Sequence, residues 1–597
     1  MCLMNLSLKR VLFQLTLLHK LVVFTTTSCI IAATSASTLN VSTSINNTSS
    51  GNETDLSELF HWQDYGVLAA MLFVSCAIGV FYGYCGEKQT TGDDFLLGGS
   101  SMGTFPMALS LAASFITAIE LLGNPAEMYI AGAQFWMICI AFVLVVPISS
   151  QLYLPVFMRL RLTSCYEYLE VRFCKSMRVY ASALYMLQMI LYTAVAVYAP
   201  ALALSDVTGL NTYVAVSLVY VVCIFYASQG GMKAVIMTDS FQSAVLLASL
   251  ATVLALGVDQ VGGLNAVWDY SRRSDRLHFF DMNPDPTVRH SFWSVVVGGT
   301  MYWVSMFCAN QASVQKYLSV ERISQARIAL WVSAIGLIAV YSVNFITGAV
   351  LAAHYAGCDP IQAGVISASD RLLPLYVVRE FGKYPGVPGF FVAGIFAASL
   401  GTVASALNSL AAVACQDLAN GLLGITLPEE KGAMVKTTFK FLILQLALSF
   451  NGMAGGVSLG LFSLGMLFPW ANSTGAVAGG IFGLLVVVVA GGGAQLAQVP
   501  LPRLPTSTDS CPAYYNLTSL IISPSENQDE AVFWLFRVSY LWYSSLGCVA
   551  TVLAGMVVSV ITGVTDPAHV PIDLISPPVI SLLSALPKKL KVGTRLL

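Results

Sequence analysis

Four oxygen-bearing side chains recur at helical spacing in an early apolar stretch of this chain. Ser110, Ser114, Thr117 and Glu120 stand three or four residues apart, so on an unbroken helix they share one face. Charged groups inside a membrane span are costly and mark function by default. Hydroxyls and a carboxylate are hard oxygen donors, and they suit a small cation. Gly123-Asn124-Pro125 follows at once. Proline removes a backbone donor and weakens the turn before it. The helix is therefore expected to break there and to free carbonyls that can hold a sodium ion near the midplane. For Ser110 taken alone, a bond back to its own helix is the better reading.

Two other stretches carry comparable chemistry. Asp239 enters an apolar run after Gly230-Gly-Met-Lys, with Gln242 one turn on. An unpaired acid there needs a cation or another partner. Further along, Ala397 to Ser409 is a run of small and hydroxyl residues including Thr402 and Asn408. Such a run permits close helix approach, so packing competes with ligand binding as its role. No nucleophile elbow, HExxH or P-loop is present, which argues against an enzyme and against ATP as the energy source. The 13 cysteines show no metal-ligand spacing, and most sit in apolar runs as small packing residues.

These groups must be positioned by membrane helices. Hydrophobic residues make up 56% and charged residues 10% of the 597, whereas soluble domains carry roughly 25% charged residues. The 29 basic and 31 acidic residues nearly balance, so no basic surplus exists to neutralise a nucleic acid. A window of about 20 apolar residues spans a bilayer. Such windows fall near 66–86, 104–128, 134–158, 181–204, 212–230, 238–257, 291–312, 327–353, 386–415, 437–453, 455–470, 473–491 and 536–563. The expectation is thus an all-α polytopic membrane protein with about 13 transmembrane helices, the tenth and eleventh short.

Residues 1–36 resemble a signal peptide or a signal anchor, and 37–65 form a polar segment with sequons at Asn40, Asn46, Asn47 and Asn52, expected to be extracellular and glycosylated. Basic residues cluster at Arg159, Arg161, Arg172, Lys175 and Arg178, at Lys316, Arg322 and Arg327, at Lys431 and Lys436, and at Lys588, Lys589 and Lys591. All fall on the cytoplasmic side if the N-terminus is outside and the 566–597 tail is cytoplasmic. That orientation puts Cys358, Cys511 and the sequon at Asn516 in an oxidising space. Cys358 and Cys511 are then expected to pair, with two free thiols as the alternative.

Three motifs in order resemble the sodium:solute symporter family, the relatives of the sodium/glucose cotransporters. They are Gly230-Gly-Met-Lys-Ala-Val…Thr238-Asp-Ser-Phe-Gln242, Asn310-Gln-Ala-Ser-Val-Gln-Lys-Tyr317, and the ninth-span run closing with Asn408. Leu122-Gly-Asn-Pro-Ala-Glu-Met-Tyr129 and Leu191-Tyr-Thr…Tyr198-Ala-Pro-Ala-Leu202 look like the iodide, monocarboxylate and multivitamin branch. The resemblance covers residues 60–565 and implies a LeuT-like inverted five-plus-five repeat, about 104–257 and 291–470, within a 66–565 transmembrane domain. It implies sodium ligands at Ala113, Ile116, Ala398 and Thr402, with Ser114, Asp239, Gln242 and Gln311 lining a sodium site as well. The solute side maps onto Thr117, Glu120, Tyr192 and Trp303.

The implied activity is sodium-coupled symport, by alternating access, of a monocarboxylate, a vitamin such as biotin or pantothenate, or an iodide-like anion. The implied partners are Na+, that solute and the plasma-membrane bilayer, with sodium as the only metal, no organic cofactor and no nucleic acid. Three positions depart from the family. Gly401 precedes Thr402 where adjacent hydroxyls are usual, Glu120 replaces a neutral or small residue, and the tenth and eleventh spans are about 20 residues shorter. These departures motivate an alternative reading as a transport-deficient solute sensor.

Overall fold

The computed structural model describes residues 60–85, 98–422, 450–497, 503–511 and 533–585. Within them, apolar runs become helices because a helix satisfies every backbone group inside a bilayer. Helix α1 spans Trp62–Val80 and ends in a π turn, Phe81–Cys85. The next apolar run is two pieces, α2 (Thr104–Ala113) and α3 (Ala118–Ala131), bent by 60°. There follow α4 (Ala133–Leu160), α5 (Lys175–Thr208) and the 50-residue α6 (Thr212–Val261). Then come α7 (Trp293–Cys308), α8 (Gln311–Leu318), α9 (Ile323–His354) and α10 (Val387–Val413). The last are α11 (Phe450–Leu467), α12 (Ser473–Ala497) and α13 (Tyr543–Thr562).

The break in the second apolar run lies at 114–117, ending eight residues before Pro125, and not at Gly123-Asn124-Pro125. Thr117 has extended backbone, its side chain accepts from Ile119, and Glu120 bonds back to the Thr117 N–H in a capping box. That local signal starts a new helix. Pro125 then sits inside α3, a position tolerated in membrane helices when neighbours re-satisfy the freed groups. The Ser110–Glu120 face is accordingly split between two helices.

Eight helices among the described residues are long and apolar enough to cross a membrane, or nine if the bent pair is one span. Helices α7 and α11 are shorter apolar helices. The expected fifth and sixth spans are the two arms of α6, kinked where Gly231 takes φ 58° and ψ −149°. Most of the expected tenth span, 437–453, lies outside the described residues, as do residues 1–59, the five sequons and the end of the tail. The eleventh is already helical at Phe450, ahead of the expected 455, and runs to Leu467.

Helix α10 is the most enclosed of the long spans among the described residues: 94% of its apolar window is buried. It packs against α6, α5 and α1. The start of α1 pins it, because Asp64 Oδ1 accepts from the Gly386 and Gly389 amides at 2.9 and 2.8 Å. At the other end, Arg172 donates to the carbonyls of Gly465, Phe468, Pro469 and Ala471. It thereby satisfies the orphan C=O groups where α11 ends, so this member of the basic cluster is a buried structural group. The first part of the expected tail also packs on the body. Leu574 and Ile575 are buried, and Tyr168 donates to the Leu574 carbonyl at 3.0 Å.

Candidate functional site

Thr402, on α10, points its hydroxyl at the break between α2 and α3. Its Oγ1 lies 3.1 Å from the Ala113 carbonyl, 3.3 Å from Ser114, 3.4 Å from Ile116 and 3.3 Å from Ala398. Three of these carbonyls are free of helix bonding because α2 stops at Ala113. One hydroxyl proton cannot satisfy four acceptors. The surplus of hard oxygens, at the negative end of a helix, is a cation-binding arrangement. Ala113, Ile116, Ala398 and Thr402 are thus brought together.

A second cluster lies beside it. Asp239 Oδ2 accepts from Ser110 Oγ at 2.6 Å, from Lys316 Nζ at 3.1 Å and from Ser405 Oγ at 3.5 Å. Lys316 Nζ also donates to the Ser110 carbonyl at 2.6 Å and to Ser114 Oγ. Ser114 Oγ lies 3.0 Å from the Ser110 carbonyl and 3.2 Å from Ser405 Oγ. Four helices, α2, α6, α8 and α10, therefore meet on one ion pair whose side chains are 1% and 0% exposed. Two expectations change here. Lys316 is not in a basic loop but is the partner that Asp239 requires, and Ser110 donates to Asp239 instead of bonding back to its helix.

Gly401 faces this second cluster. A Cβ there would sit 3.0 Å from Asp239 Oδ1 and 3.4 Å from Gln242 Oε1. Both oxygens are buried and accept no hydrogen bond. Gly401 thus removes nothing from the Thr402 cluster and leaves space beside two orphan acceptors. Gln242 Nε2 donates to Ser75 on α1 at 3.2 Å. Gln311 is not brought to either cluster. Its Oε1 accepts from the Cys165 N–H and its Nε2 donates to the Thr163 carbonyl, both at 2.7 Å, so it anchors the loop after α4.

The solute side is a narrow cleft next to Thr402. It is lined by Phe115, Glu120, Tyr192, Tyr302 and Trp303, with Ser114, Asn310 and Ser405 toward the ion pair. About 20 Å³ of it is open to the centre of a water molecule, so the site is nearly closed. Glu120 Oε2 accepts from the Thr117 N–H at 2.8 Å and from the Thr117 hydroxyl. Thr117 itself is fully buried and is the cap, not a cleft wall. Trp303 meets Phe115 edge to face at 5.6 Å. A larger surface cleft, about 660 Å³, opens among Arg159, Arg161, Glu321 and Arg327; it holds none of these groups and does not reach the ion pair. The α7–α8 junction repeats the α2–α3 break. Asn310 has extended backbone, and its Oδ1 caps α8 at the Ala312 N–H, 2.9 Å away.

The sequence profile of the sodium:solute symporter family matches residues 95–483. The chain belongs to that family. Membership makes it a carrier of a small solute with sodium, and not an enzyme. It is 40% identical over 533 residues to sodium-coupled monocarboxylate transporter 1 of Xenopus laevis, covering 84% of this chain and 85% of that one. It is 39% identical over 519 residues to the human sodium-coupled monocarboxylate transporter 2, and 37% identical over 538 residues to the human sodium/iodide cotransporter; both matches cover 84% of each chain. A Na+-coupled sialic acid symporter in a substrate-bound outward-open state superposes with TM-score 0.69 at 24% identity, over 85% of this chain and 99% of that one. It shares the fold, an all-α membrane protein with a LeuT-like inverted-repeat core.

Lys316, Ser110, Ser405 and Asn310 are the site residues that the sequence reading did not assign. Lys316 carried a signal: an apolar-span acid demands a cation, and Lys316 lies in one of the three quoted motifs. At the opposite loops, Cys358 and Cys511 are joined by a disulfide. Asp359 N–H bonds to the Ser507 carbonyl and Ser510 N–H to the Gly357 carbonyl, each at 2.9 Å.

Proposed function

We propose that the chain takes up a small monocarboxylate with sodium across the plasma membrane, with its N-terminus outside and its C-terminus in the cytoplasm. The observation that carries this reading is the convergence of four carbonyls on Thr402 beside a cleft with aromatic walls. Sodium sits at Ala113, Ile116, Ala398 and Thr402, adds positive charge to the cleft and raises solute affinity, the reciprocal coupling of linked sites. The amide of Asn310 is a ready donor for the solute carboxylate. Its Nδ2 has only the thioethers of Met189 and Met306 as partners, at 3.9 and 3.8 Å. The relatives named for monocarboxylates support this solute class; nicotinate, pantothenate and biotin carry the same group. Sodium is the only cofactor in this reading. N-glycans at Asn40, Asn46, Asn47, Asn52 and Asn516 fit the outer side.

The alternative of a transport-deficient sensor loses one motive, because Gly401 faces Asp239 and leaves the Thr402 cluster complete. Uptake of labelled butyrate and nicotinate into cells, with sodium exchanged for choline, tests the proposal. Sodium-dependent accumulation is expected; uptake indifferent to the exchange sinks it.

A further inference from the structure

We propose that Glu120 binds a positively charged nitrogen of the solute, so that the transported monocarboxylate is a zwitterion. The inference rests on the carboxylate reading above and specifies it. Among the described residues lining the cleft, Glu120 is the one acidic or basic side chain. Its Oε2 is held by two donors from Thr117, at the N-terminal pole of the 14-residue α3. A negative charge is stabilised there, and the carboxylate is fixed in place. The carboxylate so held is one of the groups that line the cleft.

The walls have the matching chemistry. Phe115, Tyr192, Tyr302 and Trp303 line the same cleft as the carboxylate. Rings of this kind attract ammonium groups through their quadrupoles, most strongly when water is excluded. Lys316 cannot serve as Glu120's counter-ion, because it is committed to Asp239. An ordinary monocarboxylate would bring a second carboxylate into a narrow, weakly solvated space, where like charges repel strongly.

The two poles are separated along α5. Tyr185 reaches Asn310 Oδ1 at 3.4 Å, while Tyr192 lines the Glu120 end. Seven residues of helix rise roughly 10 Å. A solute whose carboxylate meets Asn310 and sodium, and whose nitrogen meets Glu120, therefore has a few carbons between its charges.

Two matched pairs test this in the full-length protein: butyrate against 4-aminobutyrate, and nicotinate against its N-methyl zwitterion. Each pair differs by one positive charge on a constant frame. The wild type is expected to accumulate the zwitterion at least ten-fold faster in sodium. Glu120→Gln keeps the capping geometry, and at equal surface abundance it should erase that preference. If the variant fails to reach the surface, the wild-type ratios decide alone. Butyrate and nicotinate carried as fast as their partners would overturn the nitrogen assignment and leave the symport reading standing. A preference unchanged in Glu120→Gln would overturn it too. No sodium-dependent uptake of any of the four would overturn the carboxylate reading itself, and this inference with it.

Discussion

Replacing Lys316 by methionine removes the ammonium and keeps most of the bulk of its stem. Asp239 would be left with Ser110 at 2.6 Å and Ser405 at 3.5 Å, while its Oδ1 already accepts nothing. Removing one partner of a buried pair costs about 3–5 kcal/mol, whereas replacing both is often close to neutral. Lys316→Met should therefore be strongly destabilised, and Lys316→Met with Asp239→Asn should recover most of the loss. Sodium gives a second handle. In the single variant the vacated position is surrounded by Asp239 Oδ2, the Ser110 carbonyl and Ser114 Oγ. An ion entering it at about 100 times its Kd adds about 2.7 kcal/mol. The assay is the thermal midpoint of the detergent-solubilised, fluorescently tagged protein by size-exclusion chromatography, in sodium or in choline. The single variant should gain more from sodium than the wild type does. Equal midpoints for the single and double variants in both salts would refute the ion pair as the organiser of this centre.

Thr402→Ala should raise the sodium concentration for half-maximal uptake by about 10- to 100-fold, since bonds to charged groups contribute about 1.5–3 kcal/mol; sodium titration at matched surface abundance checks it. Gly401→Ala should lower the thermal midpoint, because its methyl would crowd Asp239 Oδ1 at 3.0 Å without donating to it. Gly401→Ser should lower it less, since the hydroxyl can donate to Asp239 Oδ1 or Gln242 Oε1. Cys358→Ser opens a loop of sequence separation 153 and should cost up to about 5 kcal/mol on loop-entropy grounds; cell-surface protease resistance reads this.

The helices were legible because apolar length is a local signal, whereas the Thr402 cluster was implied by the family resemblance alone. The residues Ala113, Ile116, Ala398 and Thr402 sit where the resemblance placed them. The position of the break was misread, since Pro125 is the louder letter but Thr117 and Glu120 form the stronger start signal. Lys316 was misread for a different reason. A lysine near the end of an apolar run ordinarily marks a membrane edge, and only the fold shows that α8 runs back through the interior with every residue buried. Gln311 was assigned from the resemblance, whereas the fold turns its side chain toward the Thr163–Cys165 loop.

The cancellation of Lys316 by Asp239 has an electrical consequence. Once that pair is neutral, Glu120 is the one acidic or basic group left among the described residues of the cleft. A reorientation that carries its charge outward is favoured by an inside-negative potential, worth about 2.3 kcal/mol per elementary charge per 100 mV across the full field. Sodium bound at the Thr402 cluster balances the charge of Glu120 in sum, and a zwitterion adds nothing to that sum. The loaded carrier would then cross nearly free of the field, and voltage would act on the return of the empty one.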